Sequence, residues 1–462
     1  MDLELFVTGG LGDNSYLLVS GDQAVVVDPQ RDAWRFVAAA QARGVTIQAV
    51  LETHVHNDYV SGAREIRAAT GAQIVAPARG RYEFPHRPAD EGDEVPLGDL
   101  RLLAMATPGH TFEHLCWLVQ DGDTPAAVFT GGSLLAGSAG RPDLLGDEFT
   151  DGLTREQYAT LRRLAALPAA TRVLPTHGAG SFCVAAMPAT TRTSTIGAEC
   201  AENPLMSARD LAEFGNGLRS ELMAYPAYYR HMAPINRRGA PVLGGLPTIR
   251  PLTGPEISDE IAGGAWILDT RDRGHFAAGH IPGSVNIELN PGFASYTGWL
   301  LPFGAPLVLV LPEPARESAA EAVTQLLRIG WPQPLGYLRG GIEAWPGELR
   351  SYPTADAQDL CDAMTRGEHP FVLDVRQELE WGWGTIPGSR TVFLGDIPAR
   401  AGDIPRDHRA WVVCSNGHRA AIAASLLDRA GIPVRPVTAG GVAECRRLCA
   451  QHIPADGTGV LL

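Results

Sequence analysis

Positive charge is scarce in this sequence of 462 residues. Lysine and arginine number 38 against 52 aspartates and glutamates, which gives a formal net charge of −14. Proteins that bind nucleic acid neutralise phosphates with a basic surface, so this charge balance predicts no nucleic-acid partner. Apolar residues make up 45% and charged residues 19%, which is ordinary for a globular protein with buried cores.

The sequence also lacks the hydrophobic segments of secreted and membrane proteins. Its first ten residues, MDLELFVTGG, contain neither a basic region nor an apolar stretch, so we expect no signal peptide. No apolar run is long enough to cross a bilayer, and we therefore expect no membrane partner.

Cysteine is sparse and shows no disulfide framework. The seven cysteines are scattered, odd in number and without a CxxC pair, which excludes a cysteine zinc site. The pattern suits a reducing compartment, and we expect a cytoplasmic protein. The seven are Cys116, Cys183, Cys200, Cys361, Cys414, Cys445 and Cys449.

The length exceeds what one hydrophobic core fills, and about three domains are expected. Residues 1–235 mix short β-branched runs with helical stretches and are predicted to form the first domain. Asn57 and Asp58 are predicted to cap a helix over residues 57–70, which Gly71 ends. Buried strands are predicted at residues 24–28, 48–52 and 127–130.

Residues 236–255 are rich in proline and glycine and are typical of a linker, and beyond them the sequence repeats itself. LDTR at 268–271 is repeated as LDVR at 373–376, and IPGS at 281–284 is repeated at 386–389. Each copy reads strand, loop, helix, strand, helix, which predicts a parallel sheet covered by helices. We predict two tandem α/β domains, over residues 256–351 and 356–462.

Histidines are concentrated after the second predicted strand. His54, His56 and Asp58 alternate along the chain, and alternate side chains of an extended segment point the same way. His110 and His177 follow short apolar runs further on. Imidazole nitrogens and carboxylate oxygens bind zinc and ferrous iron, so these five residues predict a metal site.

Six motifs give residues 1–235 a resemblance to a known family. They are GDNSY (12–16), VDP (27–29), THVHND (53–58), TPGHT (107–111), GRPD (140–143) and PTHGAG (175–180). Together they resemble the metallo-β-lactamase fold, and within it the branch of glyoxalase II and the persulfide dioxygenases. The resemblance implies an αββα sandwich with a metal at one edge.

Two departures from that family concern the metal. Glyoxalase-type members have a histidine that helps hold a second metal where this chain has Tyr59. The resemblance therefore implies at most one divalent metal, with Fe(II) favoured and Zn(II) as the alternative. The persulfide dioxygenases bind iron through two histidines, which match His54 and His110, and an aspartate. That aspartate lies in a pattern like FTGD, but this chain reads FTGGS and has Gly132 there.

The missing carboxylate leaves three interpretations open, and with them the occupancy of the site. Asp58 completes a different site with His56 or His177, or histidines and water alone hold the iron with weaker affinity. In the third interpretation the domain is a scaffold that has lost its metal.

Four further residues are predicted to support the site. We expect Asp28 and Tyr59 to hold the ligands in place. Arg141 and Asp143 of GRPD either support the site or form a buried ion pair that fixes a loop. His114 is expected to be a structural, hydrogen-bonding histidine rather than a ligand.

The last repeat contains a cysteine in a loop that suits a nucleophile. A predicted strand ends at Cys414, and Arg419 opens an apolar helix. Loop amides and the helix N-terminus stabilise a thiolate, and Arg419 adds positive charge. The ring of amides also suits an anion or a bound sulfane sulfur. The residues between the two are Ser415, Asn416, Gly417 and His418.

Both repeats resemble rhodanese domains through the LDVR and IPGS motifs and the six-residue loop from Cys414 to Arg419. In that family the cysteine carries the transferred sulfur as a persulfide, and a loop this short favours sulfur over phosphate. Aligning Arg316 with Arg419 places Leu311 opposite Cys414. We therefore expect the first copy to be catalytically silent and to serve packing or docking.

The expected fold is α/β: an N-terminal αββα metallo-β-lactamase sandwich followed by two tandem α/β rhodanese domains with parallel sheets. The resemblance implies metabolism of a small-molecule thiol persulfide or thiosulfate, with oxidation at the metal and sulfur transfer through Cys414. A homodimer is left open. The alternatives are a sulfurtransferase with a degenerate metal domain, a zinc thioester hydrolase of the glyoxalase II type, and a non-catalytic persulfide carrier or sensor.

Overall fold

The computed structural model describes residues 2–185 and 191–450. The chain divides into two compact units, one of residues 1–247 with 324–331 and the other of residues 248–323 with 332–462. The end of the predicted last domain, residues 451–462, lies outside the described residues. The predicted domain boundaries stay predictions.

The first sheet of the first unit has six strands in chain order. They are β1 (Asp2–Thr8), β2 (Asp13–Ser20), β3 (Gln23–Val27), β4 (Thr46–Leu51), β5 (Gln73–Pro77) and β6 (Arg87–Ala89). Strands β1 to β3 are antiparallel, and β3 to β6 are parallel. Two of the strands predicted from sequence, at residues 24–28 and 48–52, correspond to β3 and β4.

The next eight strands supply a second six-stranded sheet and a short ribbon. They are β7 (Glu94–Leu97), β8 (Leu100–Ala106), β9 (Leu115–Asp121), β10 (Thr124–Gly131), β11 (Leu134–Leu135), β12 (Ser138–Ala139), β13 (Arg172–Pro175) and β14 (Ser194–Thr195). The sheet has the order β14-β13-β10-β9-β8-β7, and β11 pairs with β12 in the ribbon. Within the sheet β10 and β13 are parallel, and every other pair is antiparallel.

Side chains on strand β2 show how the layers form. Tyr16 and Leu18 lie in the core between the two sheets, whereas Leu17 packs with Phe36 in a second core beside the helices. Successive side chains of a strand point to opposite faces, so a strand that is apolar on both faces joins two cores. The helices of this unit are α1 (Trp34–Arg43), α2 (Ala63–Thr70), α3 (Asp147–Ala165), α4 (Ile196–Glu202), α5 (Pro204–Ser207), α6 (Leu211–Ser220) and α7 (Tyr229–Arg238).

A third core on the outer face of the second sheet includes Cys116 of β9 with Leu161 of α3 and Phe214 of α6. The layers are therefore helix, sheet, sheet, helix, which confirms the predicted αββα sandwich.

The predicted start of helix α2 was wrong. The helix begins at Ala63 after Gly62, and it ends at Gly71 in the left-handed conformation as expected. Asn57 and Asp58 are not its caps, because residues 52–62 form a loop in which the polar side chains converge on the histidine cluster described below. The local capping pattern competes here with these tertiary contacts.

The chain from residue 248 forms two copies of one five-stranded parallel sheet. The first copy contains β15 (Pro251–Leu252), α8 (Gly254–Ala262), β16 (Trp266–Asp269), α9 (Arg273–Ala278), β17 (Val285–Asn286), α10 (Phe293–Leu300), β18 (Leu307–Val310), α11 (Ala315–Arg328) and β19 (Gly336–Leu338). Its strand order is β15-β19-β18-β16-β17, with every pair parallel.

The second copy has the same order, β20-β24-β23-β21-β22, again with every pair parallel. Its elements are β20 (Ala355–Asp356), α12 (Ala357–Thr365), β21 (Phe371–Asp374), α13 (Glu378–Gly382), β22 (Arg390–Thr391), α14 (Ile397–Arg400), β23 (Ala410–Val413), α15 (His418–Arg429), β24 (Val434–Ala439) and α16 (Val442–Ala450). This confirms the parallel sheets expected from the sequence repeat.

The repeated D-x-R motif performs the same structural task in both copies. Arg271 donates to the Asp269 carboxylate at 2.7 Å and to the carbonyl of Gly279 at 2.8 Å. Arg376 makes equivalent bonds, to Asp374 at 2.7 Å and to the carbonyl 8 residues further on at 2.8 Å. The motif therefore ties the end of a strand to the segment after the following helix.

Among the described helices, none combines the length and the hydropathy that a bilayer-crossing segment requires.

Candidate metal centre and cysteine loop

Three buried imidazoles meet beyond the ends of strands β4, β8 and β13. They belong to His54, His110 and His177, which we call the three-histidine group. Their candidate ligand nitrogens all lie within 4.8 Å of one another. The Nε2 atoms of His54 and His177 are 3.4 Å apart, a distance at which both can face one cation.

A chain of hydrogen bonds fixes the ring of His54. The Thr53 hydroxyl donates its proton to Asp28 Oδ2 at 2.7 Å. The hydroxyl oxygen of Thr53 therefore accepts from Nδ1 of His54 at 2.8 Å. Asp28 also accepts from the Thr53 amide at 2.8 Å and from the hydroxyl of Thr176. This arrangement places the proton on Nδ1 and leaves the lone pair of Nε2 for a ligand. The supporting role of Asp28 stays a prediction.

The other two imidazoles are oriented in the same way. Nδ1 of His110 donates to the carbonyl of Arg141 at 2.8 Å, and Nδ1 of His177 lies 2.9 Å from Asp13 Oδ1. Nε2 of His110 is buried and has no hydrogen-bond partner among the described residues. A ring that bonds an oxygen through one nitrogen and leaves the other bare is the usual state of a metal-binding histidine.

Burial sets the charge of these rings. It lowers the pKa of His110 to about 3 and that of His54 well below its usual value, so both are neutral and keep a lone pair. Burial would also lower the pKa of His177, but Asp58 and Asp13 raise it to about 9. A cation that binds His177 must therefore displace a proton, and the two carboxylates favour positive charge on this ring in either form.

A second group lies beside the first and shares His177 with it. Candidate ligand atoms of His56, Asp58 and His177 lie within 4.8 Å of one another. His56 Nε2 is 3.0 Å from Glu52 Oε2 and 3.0 Å from the Tyr59 hydroxyl. Its Nδ1 and both oxygens of Asp58 have no hydrogen-bond partner within the part of the chain that the structure describes, although Nδ1 of His177 approaches Asp58 to 3.3 Å.

Carboxylates surround the ring of His56. Burial would lower its pKa, but Asp28 and Glu52 raise it well above the usual value. Burial raises the pKa of Glu52 although His56 opposes it, and at Asp28 the same ring outweighs burial and lowers the pKa. Asp28 also has a left-handed backbone with φ 48°, which is strained for a residue with a side chain.

The donor set fits a divalent metal. Neutral imidazole nitrogens that are buried, convergent and otherwise unpaired are ligands that zinc and iron take. His54, His110 and His177 would hold the ion, and His56 and Asp58 offer further donors beside it. The individual roles of these five residues stay predictions.

The ring of His110 explains the glycine at position 132. A Cβ added at Gly132 would lie 2.2 Å from Cδ2 of His110, so no side chain fits while that ring keeps its place. The amide of Gly132 donates to Nε2 of His114 at 3.0 Å, and Nδ1 of His114 is 2.9 Å from the Thr107 hydroxyl. Both nitrogens of His114 are occupied, as a structural role requires.

Arg141 and Asp143 form the buried ion pair that was one of two readings of GRPD. Two parallel bonds of 2.7 Å join the guanidinium to the carboxylate. Arg141 also donates to the carbonyl of Met223 at 2.7 Å and lies 4.8 Å from the Tyr225 ring centre. The pair fixes the loop whose Arg141 carbonyl accepts from Nδ1 of His110, and a role in supporting a metal site stays a prediction.

Cys414 directly follows strand β23, and its thiol is directed at backbone amides. Sγ accepts from the amide of Gly417 at 3.1 Å and from that of Ala420 at 3.4 Å. Gly417 has φ 89°, and a Cβ there would meet the carbonyl oxygen of Thr438 at 2.3 Å, so only glycine permits this turn. Cys414 as a whole residue is 1% exposed, and Asn416 Oδ1 lies 3.9 Å from its Sγ.

The positive charge of Arg419 is compensated. Its Nη2 donates to Glu380 Oε1 at 2.8 Å and to Ser415 Oγ at 3.0 Å. Burial would raise the pKa of Glu380, but Arg419 outweighs it and lowers the pKa. The pairing of Arg419 with Glu380 was not predicted, because Glu380 lies 39 residues away and no local pattern pairs the two.

The remaining loop residues take different places. Asn416 Oδ1 accepts from the amide of His418 at 3.2 Å, which is a hydrogen bond within the loop. His418 opens helix α15, one residue before the predicted start. In the other copy Leu311 follows strand β18 as Cys414 follows β23, and it is buried at 4% exposure. The first copy therefore has an apolar side chain where the second has its thiol.

Several supporting residues were missed in the sequence. Asp13 lies within the GDNSY motif, and Glu52 ends a predicted strand. Both residues were therefore in recognised patterns, but no role was assigned to either. Glu380 offered no such signal. Asn236, whose amide donates to the carbonyls of His56 and Tyr59 at 2.9 and 2.8 Å, was taken as part of the linker.

Two stacked sheets with buried histidines beyond their strand ends define the class of metallo-β-lactamase folds, and family comparison agrees. Residues 8–177 match the metallo-beta-lactamase superfamily. Residues 253–348 and 356–446 each match the rhodanese-like domain. The chain therefore belongs to the metallo-β-lactamase superfamily and carries two rhodanese-like domains.

The curated relatives are similar to little more than a third of the chain. A hydroxyacylglutathione hydrolase of Methylobacillus flagellatus is 36% identical over 164 residues, which are 35% of this chain and 60% of that protein. That of Cereibacter sphaeroides is 34% identical over 185 residues, 38% of this chain and 67% of the relative. The chain thus spans less than two thirds of the first relative.

A solved structure extends the similarity to a larger share of the chain. It is a metallo-beta-lactamase from Staphylococcus aureus subsp. aureus COL, which is 27% identical with a TM-score of 0.67. The alignment covers 73% of this chain and 98% of that one, so it includes residues outside the sandwich.

Proposed function

We propose that this protein metabolises thiol persulfides, with sulfur transfer at Cys414 and oxidation at the metal centre. The observation that carries the proposal is the pair of amides of Gly417 and Ala420 directed at Cys414 Sγ. These amides stabilise a thiolate, which is the form of cysteine that attacks sulfur.

The transfer step balances without a further reactant. The Cys414 thiolate attacks the outer sulfur of thiosulfate, an S–S bond forms, and sulfite leaves with the electrons of the broken bond. An acceptor thiol then takes the outer sulfur as its own persulfide, and the thiolate is restored. The reverse direction obeys the same balance, so the loop serves either flow of sulfur.

In the metal centre the chain supplies three imidazole nitrogens from the three-histidine group, of which those of His54 and His110 are already neutral. A ferrous ion held there would supply the redox chemistry by which one persulfide, one dioxygen and one water become one thiol, one sulfite and two protons. Asp58 lies beside these ligands with both carboxylate oxygens buried and without a hydrogen-bond partner among the described residues. Burial would raise the pKa of Asp58, but His177 outweighs burial and lowers the pKa to about 2, so Asp58 offers a negative charge beside the bound cation.

Fusion of the two activities in one chain raises the effective concentration of one product at the other site. The thiol persulfide made by sulfur transfer is the substrate of the oxidation, and the sulfite made by oxidation is the acceptor that returns sulfur to thiosulfate.

The test compares two variants in two assays, one for oxygen consumption and one for sulfur transfer. Protein purified without oxygen is analysed for iron, and oxygen consumption is followed with glutathione persulfide. We expect His54→Ala to lose oxygen consumption while Cys414 still accepts sulfur from thiosulfate, and Cys414→Ala to show the converse. His275→Ala, which changes an exposed histidine, is the control. Iron-loaded wild-type protein that consumes no oxygen would exclude the dioxygenase half.

The same experiment separates the simpler alternatives. A sulfurtransferase with a degenerate metal domain predicts that His54→Ala changes no activity at all. A carrier or sensor predicts one sulfur per Cys414 and no turnover, so repeated transfer from thiosulfate to cyanide would exclude it.

A zinc thioester hydrolase is the second candidate, and two observations favour it. The three-histidine group is an all-nitrogen ligand set, which catalytic zinc accepts, whereas non-haem iron oxygenases usually take two histidines and a carboxylate. The relatives of 34–36% identity are hydroxyacylglutathione hydrolases. Zinc-loaded protein that cleaves a hydroxyacylglutathione thioester, with loss of cleavage in His110→Ala, would establish this function.

A further inference from the structure

The Cys-less copy reaches the cysteine loop of the second copy. Asn290 Nδ2 lies 3.0 Å from Nε2 of His418, and the Tyr296 ring meets the His418 ring edge to face at 5.2 Å. Arg273 donates to the carbonyl of Asn416 at 3.4 Å. Two of the four residues between Cys414 and Arg419 are therefore held by side chains that the silent copy supplies.

A rigid ion pair supports these contacts. Glu288 accepts two bonds of 2.8 Å from the Arg273 guanidinium and one of 2.9 Å from its amide. Glu288 Oε2, which accepts from Arg273 Nη2, lies 3.7 Å from Nε2 of His418. The pair is mostly buried and doubly bonded, so it holds its geometry better than an exposed pair does.

The helix behind the loop is attached to the same copy. The Ser425 hydroxyl accepts from the amide of Asn286 at 3.0 Å. Asp428 accepts from Arg350 at 2.9 Å and lies 3.3 Å from Nε2 of His280. Ser425 and Asp428 therefore attach the C-terminal half of α15 to the first copy, at a distance from the loop.

The electrostatics agree with a shared site. Burial raises the pKa of Tyr296, Arg419 opposes that rise, and Cys414 adds to it. Burial lowers the pKa of His418, with Arg273 and Arg419 adding to the effect and Glu288 opposing it. The His418 ring is therefore neutral near pH 7, and its Nε2 accepts the N–H of Asn290.

We propose that Asn290 and Tyr296 of the Cys-less copy are positioning residues, which fix the His418 imidazole and form a wall against the loop that carries Cys414. That task requires the retained fold of this copy but no nucleophile in it. The proposal rests on the proposed sulfur transfer for its functional meaning.

The test compares variants of the wall with a variant of the same interface remote from the loop. Asn290→Leu keeps the volume and removes the bond to His418, together with the bond that Asn290 Oδ1 accepts from the amide of Gly292. Tyr296→Ala removes the ring. We expect each variant to lower kcat/KM for transfer from thiosulfate by about fivefold or more. For Asn290→Leu this corresponds to the value of one hydrogen bond. The rate of Cys414 alkylation by iodoacetamide, measured on the peptide by mass spectrometry, should change in the same variants.

A spectroscopic readout separates positioning from folding. In protein labelled with ¹⁵N-histidine, loss of the Asn290 bond should move the Nε2 resonance of His418. The control, Ser425→Ala, removes a bond between α15 and the first copy and should lower the thermal midpoint while leaving the transfer rate and the resonance unchanged.

Either of two results would overturn the proposal. One is that Asn290→Leu and Tyr296→Ala lower the thermal midpoint with unchanged alkylation and transfer, which is a purely structural role. The other is an unchanged His418 resonance in Asn290→Leu. If wild-type protein transfers no sulfur but its alkylation rate still depends on Asn290, the proposed function fails and the shared wall stands.

Discussion

At position 132 the absence of a side chain leaves room for the His110 ring. Substitution of this glycine tests whether the position of that ring matters for metal binding. In Gly132→Asp the new Cβ would lie where Cδ2 of His110 stands, so the ring must move. We expect less metal per chain and a free energy of unfolding lower by about 1–3 kcal/mol, as for other overpacked sites. Metal analysis and urea denaturation measure the two effects.

The matched control is Gly152→Ala. Gly152 lies on helix α3 with no atom within 4 Å of an added Cβ, so this variant should retain its metal and gain a little stability. Full metal content with tighter binding in Gly132→Asp would mean that the protein accommodates the aspartate as a ligand, and that His110 yields its place.

Asp13 gives a second test at this scale. Its carboxylate holds Nδ1 of His177, and partners of this kind orient metal ligands. We expect Asp13→Ala to weaken zinc binding by about 10–100-fold, measured by competition with a chromophoric chelator. Asp123→Ala, at a fully exposed position, is the control. Unchanged affinity in Asp13→Ala would show that His177 is not a ligand.

At the scale of elements, the loop between β23 and α15 depends on a backbone that only glycine adopts. Gly417→Ala would place a Cβ 2.3 Å from the Thr438 carbonyl at a positive φ. We expect a loss of about 1–3 kcal/mol in stability and at least a tenfold slower alkylation of Cys414, because the Gly417 amide no longer faces the thiol. Gly402→Ala, where an added Cβ meets no atom within 4 Å, should leave both unchanged. Normal alkylation in Gly417→Ala would remove that amide from the mechanism.

The pair of Glu380 and Arg419 links α13 to the cysteine loop and predicts a pH dependence. The pKa of Glu380 is lower in the folded protein than its ordinary 4.5, so its contribution to stability is fully present above pH 4.5 and is lost as the pH falls below that value. Wild-type protein should therefore exceed Glu380→Gln in thermal midpoint at pH 7, and the difference should shrink toward pH 3. A constant difference across this range would contradict the assignment.

Elements were predictable from the sequence where the pattern is local. The run from Gln23 to Val27, the strand before Cys414 and the helix after it follow from alternation, β-branching and capping, which neighbouring residues decide. The start of α2 was not predictable, because Asn57 and Asp58 read as caps but serve contacts with distant segments. The partner of Arg419 escaped prediction for the same reason.

At the scale of the whole molecule, a bound metal should stabilise one compact unit and not the other. A ligand that binds only the folded state adds about 2.7 kcal/mol at a concentration 100 times its dissociation constant. We expect zinc to raise the melting transition of the unit that contains His54 and to leave the other transition unchanged in calorimetry. A chelator should reverse the rise, and His54→Ala should prevent it. A zinc effect that persists in His54→Ala would place the metal elsewhere.

The sequence by itself determined the αββα sandwich, the two parallel-sheet copies and the loop around Cys414. Each of these is encoded in periodicity, motif spacing or turn chemistry within a few tens of residues. Tertiary structure decided which imidazole nitrogens remain unpaired, whether position 132 has room for a side chain, and which copy's residues hold His418. Those outcomes depend on groups that are separated in the sequence, by 128 residues for Asn290 and His418, and their contact exists only once the sheets and helices have packed.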